Sequence, residues 1–191
     1  HAGGLGQNSP HFLKKAFLRV HVYTTLISTT DLAPHLNEPG WVLLDCRFDT
    51  EDKNWGHEDY LQFHIPGAVF ADLESDMCAP ITRFSGRHPL PEPGHLVKSF
   101  RRLGINQDTQ VVVYDSATGG MAGRTWFLLK LYGHESVALL DGGLPTWLAE
   151  GRPTEEGFET NRVGNFEGTP NEEMVATMDE VRRLSGDTNR V

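Results

Sequence analysis

The chain has 191 residues, 38% of them hydrophobic and 23% charged, with a formal net charge of -9. That length suits one α/β domain with a remainder. The acidic balance argues against a nucleic-acid partner, and no run approaches the ~20 apolar residues of a membrane span. Two cysteines, Cys46 and Cys78, are too few for a disulfide framework and neither lies in a CxxC pair, which favours a reducing compartment. Nine scattered histidines, without HxH or HExxH spacing, give no sign of a metal or cofactor site.

Residues 1–25 read as a leader or a cloning remnant. The opening residue is His1, and "FLKKAFLRV" is basic and amphipathic, a character shared by transit peptides and by surface-packed leaders. "STTDLAPHL" predicts a short helix capped by Ser28, with Asp31 three residues on. "WVLLD" (41–45) predicts a strand after Pro39 and Gly40. The polar stretch "RFDTEDKNWGHED" reads as a loop. Pro66 and Gly67 fit a tight turn before a second strand, "AVFAD". "MCAPITRFSGRHPLPEPG" is a long proline-rich loop. "HLVKSFRRLG" is an amphipathic helix with Leu96, Phe100 and Leu103 on one face. "QVVVYD" (110–115) lacks polar alternation, so both its faces are expected to be covered, as in a parallel sheet. A helix to Gly133, a strand in "ESVALLDGG", and a short helix with Pro145 in its first turn follow. Strands alternating with helices predict a doubly wound parallel sheet with helices on both faces. Its ligand site is expected at the carboxyl ends of the strands, where residues 115–120 fall.

Residues 151–175 are Gly-, Glu- and Thr-rich, with six glutamates, and read as a linker or an arm lying over the surface. "ATMDEVRRLSGDTNRV" (176–191) then resembles the first helix: Ser28, Thr29, Asp31 and Leu36 align with Ala176, Thr177, Asp179 and Leu184 at one constant offset. Either two capped helices are alike by chance, or a second copy of the domain begins here.

"VVVYDSATGG" has the form of a strand, a loop and a helix N-terminus, a common anion-binding arrangement. A nucleophile often occupies its first loop residue, and here that residue is Asp115. A carboxylate there can fill the anion cradle itself. Ser116 and Thr118 lie close by, but no residue pattern gives either a general base, so loop and cap hydrogen bonds are expected of them. Arg124 is too far along for a Cys-x5-Arg phosphatase loop, which also needs a cysteine. Cys46 is expected to be a buried structural thiol and Cys78 an exposed loop thiol. Trp126 and Trp147 are expected in the core.

"LLDCR" (43–47), "HIPGA" (64–68) and "LDGGLPTW" (140–147), with "VVVYD" between the second and third, resemble the rhodanese, or sulfurtransferase, family in order and spacing. The resemblance covers about residues 26–150 and is nearest to the first half of tandem thiosulfate and 3-mercaptopyruvate sulfurtransferases. It implies persulfide chemistry on a cysteine at the central strand's end, with sulfur passed to cyanide or a thiol. It also implies that in tandem members this cysteine belongs to the second domain. Asp115 fits the first-domain pattern. The resemblance further implies a structural role for Asp45, Arg47, Gly142, Gly143 and Trp147. His64 is expected either to face the cleft between domains or to be hydrogen-bonded at a turn. Arg83 and Arg87 are candidates to attract anionic sulfur donors.

The expected protein is the non-catalytic N-terminal half of a cytoplasmic sulfurtransferase, without cofactor or metal. Its partners would be the second rhodanese domain, beginning near residue 176, and small anionic donors. An apolar patch and self-association would follow if that half is missing. A stand-alone inactive protein-binding module, and an enzyme using Cys46 or Cys78, are the alternatives.

Overall fold

The apolar runs at 41–45 and 110–114 lie side by side at the centre of a sheet. In the computed structural model, which describes residues 21–185, the strands are β1 (Leu26–Ile27), β2 (Trp41–Asp45), β3 (Val69–Phe70), β4 (Gln110–Tyr114) and β5 (Val137–Leu140). Their spatial order is β1-β5-β4-β2-β3, and every pairing is parallel. The expected leader, save its last residues, and the expected second-domain strand lie outside the described residues.

The missing polar alternation in β4 has a direct cause. Val111 and Val113 join Val42 and Leu44 beneath α3 (Pro93–Arg102) and α4 (Gly120–Leu131), packing on Leu96, Phe100, Leu128 and Leu129. Val112 and Tyr114 face the other way with Leu43, onto Leu32 of α1 (Thr29–Leu32) and Leu144 and Trp147 of α5 (Gly143–Ala149). Each fully buried valine on either face contributes about 1.5–3 kcal/mol. The Ser28 cap forms as expected, its Oγ accepting the Asp31 N–H at 3.0 Å.

Two elements differ from the sequence reading. β1 is a two-residue edge strand on β5, with Leu26 opposite Leu139, too short to leave a periodic signal. The polar stretch read as a loop contains α2 (Trp55–Gln62). Only Gly56 and Tyr60 of this helix are buried, so no apolar periodicity marks it. Gly56 is required there, since a Cβ would lie 2.3 Å from the Arg47 carbonyl oxygen.

Residues 151–171 lie over the domain as an arm. Glu155 makes a two-way backbone bridge with His64, 2.9 Å each way. The Gly157 N–H donates to the Leu61 carbonyl at 2.9 Å, Gly164 to Arg101 at 2.8 Å, Phe166 to Ile105 at 3.1 Å and Asn171 to Leu131 at 2.7 Å. Phe166 is wholly buried, edge-on to Phe100 at 5.2 Å. Beyond it α6 (Met178–Ser185) is exposed along its length.

Candidate functional site

The carboxyl ends of β4 and β5 meet α4 and α5 around a hollow of about 280 Å³, lined by Asp115, Ala117, Thr118, Gly119, Asp141, Gly142 and Gly143 among others. Asp115 is buried at its base. One carboxylate oxygen accepts the N–H groups of Ala117 (2.9 Å) and Gly119 (3.0 Å). The other accepts those of Met121 (3.1 Å) and Ala122 (3.2 Å). These donors include first-turn N–H groups of α4, which have no partner within the helix and sit at its positive end. Gly119 turns the loop into the helix with φ +83°. Asp115 also offers its carbonyl to the Leu144 N–H at 3.0 Å. Gly143 makes that approach possible, because a Cβ there would stand 2.6 Å from the same oxygen.

The second buried carboxylate is Asp45, at the end of the neighbouring β2. Arg47 reaches back to it through Nε (3.0 Å to each oxygen) and Nη2 (2.6 Å), and the Arg47 N–H donates to it at 3.0 Å. Arg47 continues to Asp59 of α2 (2.5 Å) and to the Phe63 carbonyl (3.0 Å). Burial opposes the guanidinium charge, and the hydrogen bonds to Asp45 more than offset it. Tyr114 completes the knot, its hydroxyl accepting the Ile65 N–H at 3.2 Å.

Neither thiol is a ready nucleophile. Cys46 is in the core with Sγ 3.4 Å from Thr125 Oγ1, and burial holds it protonated far above the ordinary thiol range. Cys78, expected to be exposed, is buried, and its pKa is raised by burial against the pull of Arg124. The reason is Arg124, which donates to the Met77 carbonyl (3.2 and 2.9 Å) and to the Pro89 carbonyl (3.0 Å), pinning the long loop down over Cys78. Arg124 is thereby committed to the loop rather than to the Asp115 hollow.

The remaining candidates scatter. Arg87 lines a larger cavity of about 530 Å³ with Cys78, Lys53, His88 and His95. Arg83 is exposed, its guanidinium 4.3 Å from the ring centre of Phe84. Ser116 is half-buried and Thr118 exposed at the rim of the Asp115 loop. His64 is buried under the arm at its turn, with Nδ1 3.0 Å from the Tyr60 carbonyl. Trp147 is core, its Nε1 donating to Pro153. Trp126, expected in the core, is half-buried instead, because its Nε1 is drawn to the carbonyls of Thr24 and Val137 at the sheet edge. The fold thus gathers Asp115, Gly142 and Gly143 around one hollow and Cys78 with Arg87 around another. Asp59, Lys53, His88 and His95 escaped sequence reasoning, since they sit in polar stretches without pattern.

Chemically, the hollow is an anion cradle with its anion built in. Both carboxylate oxygens are occupied, so Asp115 is ill placed as a base or nucleophile.

Residues 28–150 match the family model described as a Rhodanese-like domain. A probable 3-mercaptopyruvate sulfurtransferase from Pseudomonas aeruginosa is 44% identical over 152 residues, which cover 78% of this chain and 54% of that protein. A putative thiosulfate sulfurtransferase, SseB, from Mycobacterium tuberculosis is 39% identical over 141 residues, or 73% of this chain and 49% of that protein. The crystal structure of SseA from Escherichia coli, described among 3-mercaptopyruvate sulfotransferases, superposes with a TM-score of 0.76 at 34% identity, covering 86% of this chain and 63% of that one. The chain spans about half the length of the curated relatives it matches.

Proposed function

We propose a function from one premise: the chain belongs to the rhodanese family. It is the non-catalytic N-terminal half of a tandem sulfurtransferase that moves sulfur from thiosulfate or 3-mercaptopyruvate to cyanide or a thiol. The observation that carries this reading is the Asp115 carboxylate, seated where a persulfide-bearing cysteine would need the same four N–H groups. A persulfide requires a soft, polarisable nucleophile, and a carboxylate holds the charge without carrying the sulfur. The domain then serves as one wall of the cleft between halves.

Residues 172–185 support a second start. Thr177 Oγ1 accepts the Glu180 N–H at 3.2 Å, as Ser28 Oγ accepts that of Asp31 at 3.0 Å, so both helices begin with the same capping geometry. Met178, Val181 and Leu184 are exposed along α6, the apolar residues of a helix whose partners would lie in the second domain. The second half would supply the thiol and meet the anionic donor. The cytoplasm is the proposed compartment, and self-association of the isolated half through such apolar residues is part of the reading.

The test is thiocyanate formation from thiosulfate and cyanide by the 191-residue chain, repeated with 3-mercaptopyruvate. Rates equal to the protein-free blank are expected with both donors. A rate above blank that cysteine alkylation abolishes would overturn the reading and place the sulfur on Cys46 or Cys78.

A further inference from the structure

His64 presents an unusual situation. Its ring is wholly buried, stacked on Tyr60 at 4.2 Å between centroids. Nδ1 lies 3.0 Å from the Tyr60 carbonyl, which can only accept, so Nδ1 carries the proton and Nε2 the lone pair. Nε2 is buried and has no hydrogen-bond partner. An unpaired buried acceptor costs about 1–3 kcal/mol, so an unpartnered one calls for an explanation.

The arm supplies it. A ring nitrogen of His64 and carboxylate oxygens of Glu155 and Glu159 all lie within 4.8 Å of one another. With Nδ1 engaged, Nε2 is the nitrogen free to act. We propose that Nε2 of His64 and the carboxylates of Glu155 and Glu159 bind a divalent transition-metal cation of the zinc class, which clasps the arm to the domain. One imidazole and two carboxylates form a borderline-to-hard ligand set, which suits zinc and its neighbours better than magnesium or calcium. Tetrahedral zinc with bonds of about 2.0–2.2 Å holds its ligand atoms about 3.4 Å apart. The His64 ring is fixed, while Glu155 is exposed and Glu159 half-buried, so the carboxylates can close the difference. The fourth position falls to water.

The ligands have the supporting bonds that metal sites use. The Nδ1–H bond to a backbone carbonyl sets the tautomer and orients the ring. Glu155 Oε2 accepts the Gly67 N–H at 3.1 Å. The Glu159 backbone N–H donates to Tyr60 Oη at 3.0 Å, anchoring the third ligand on the residue that stacks against the first. The cation also balances the two carboxylates on a chain of net charge -9.

The test is calorimetric titration of the metal-stripped full chain with ZnCl2, and with CoCl2 followed by visible absorption. One zinc per chain is expected, with a Co2+ spectrum of low-symmetry four- or five-coordinate type. Glu155→Gln and Glu159→Gln, both on the surface arm, should keep the circular dichroism spectrum and each weaken binding at least about tenfold. His64→Gln should abolish it. No saturable zinc binding by the parent chain would overturn the proposal and leave a trapped water as the partner of Nε2. Binding that persists unchanged in the folded Glu155→Gln/Glu159→Gln double variant would overturn it equally, as adventitious uptake elsewhere.

Discussion

Two buried carboxylates stand at the ends of adjacent strands, Asp45 on β2 and Asp115 just past β4, and they are neutralised by opposite means. Asp45 is held by a side chain, the Arg47 guanidinium, which also reaches Asp59 and a carbonyl. Asp115 is held by the backbone alone, through four N–H groups of a loop and a helix start. A side-chain partner is specific to one charge and fails when either member changes. A backbone cradle is indifferent to which anion fills it. The first arrangement fastens the fold, and the second is a receptacle that another anionic side chain could occupy.

The contrast is sharpest when each partner is removed. Arg47→Met should cost the most, about 3–5 kcal/mol, because it strands the Asp45 charge in the interior; urea unfolding followed by tryptophan fluorescence measures it. Asp115→Asn should cost less, about 2–3 kcal/mol, since the amide turns an NH2 toward two of the four donors. If the two losses come out reversed, the backbone cradle is the stronger fastening. Gly143→Ala tests the cradle's geometry: the added Cβ meets the Asp115 carbonyl and the residue sits at φ +55°, so a loss of about 1–2 kcal/mol is expected in the same assay.

Asp115→Cys puts a thiol in the receptacle. Iodoacetamide should alkylate it at least about tenfold faster at pH 7.5 than Cys46 or Cys78, which burial holds protonated. Equal reactivity of all three thiols would deny that the cradle favours a developing anion. The last effect is nil at neutral pH. Burial, with Asp45 nearby, raises Tyr114 well above the usual phenol range, and burial pushes Tyr60 up to about 12. Both phenols ionise more readily in the unfolded chain. Stability should therefore hold below the ordinary phenol value of about 10 and fall as the pH climbs from there toward 12. A urea midpoint that stays flat across that range would break the account of the Asp45 knot.

The sheet was legible because its strands are buried on both faces: three valines in a row in β4 admit little else. The Asp115 loop was legible for a related reason, since a strand followed by small residues and a glycine pair announces a helix N-terminus. β1 and α2 were not, the one too short for periodicity, the other polar because it buries only Gly56 and Tyr60. Cys78 was misplaced because nothing local says that Arg124 will pin its loop from a distant helix. His64 could not be joined to Glu155 and Glu159 from sequence, because contact across the whole sheet has no local signature.

The arm has a consequence for whatever is carried beyond it. A free coil of the 25 residues from 151 to 175 would have a root-mean-square reach of about 25–30 Å, leaving its cargo to wander and its local concentration in the millimolar range. Here the chain is moored at Glu155, Gly164, Phe166 and Asn171. The slack left after Asn171 is a few residues. Neighbouring structure is therefore delivered to one place on the surface, beside the end of α4, with the entropy of the search already spent when the first domain folds.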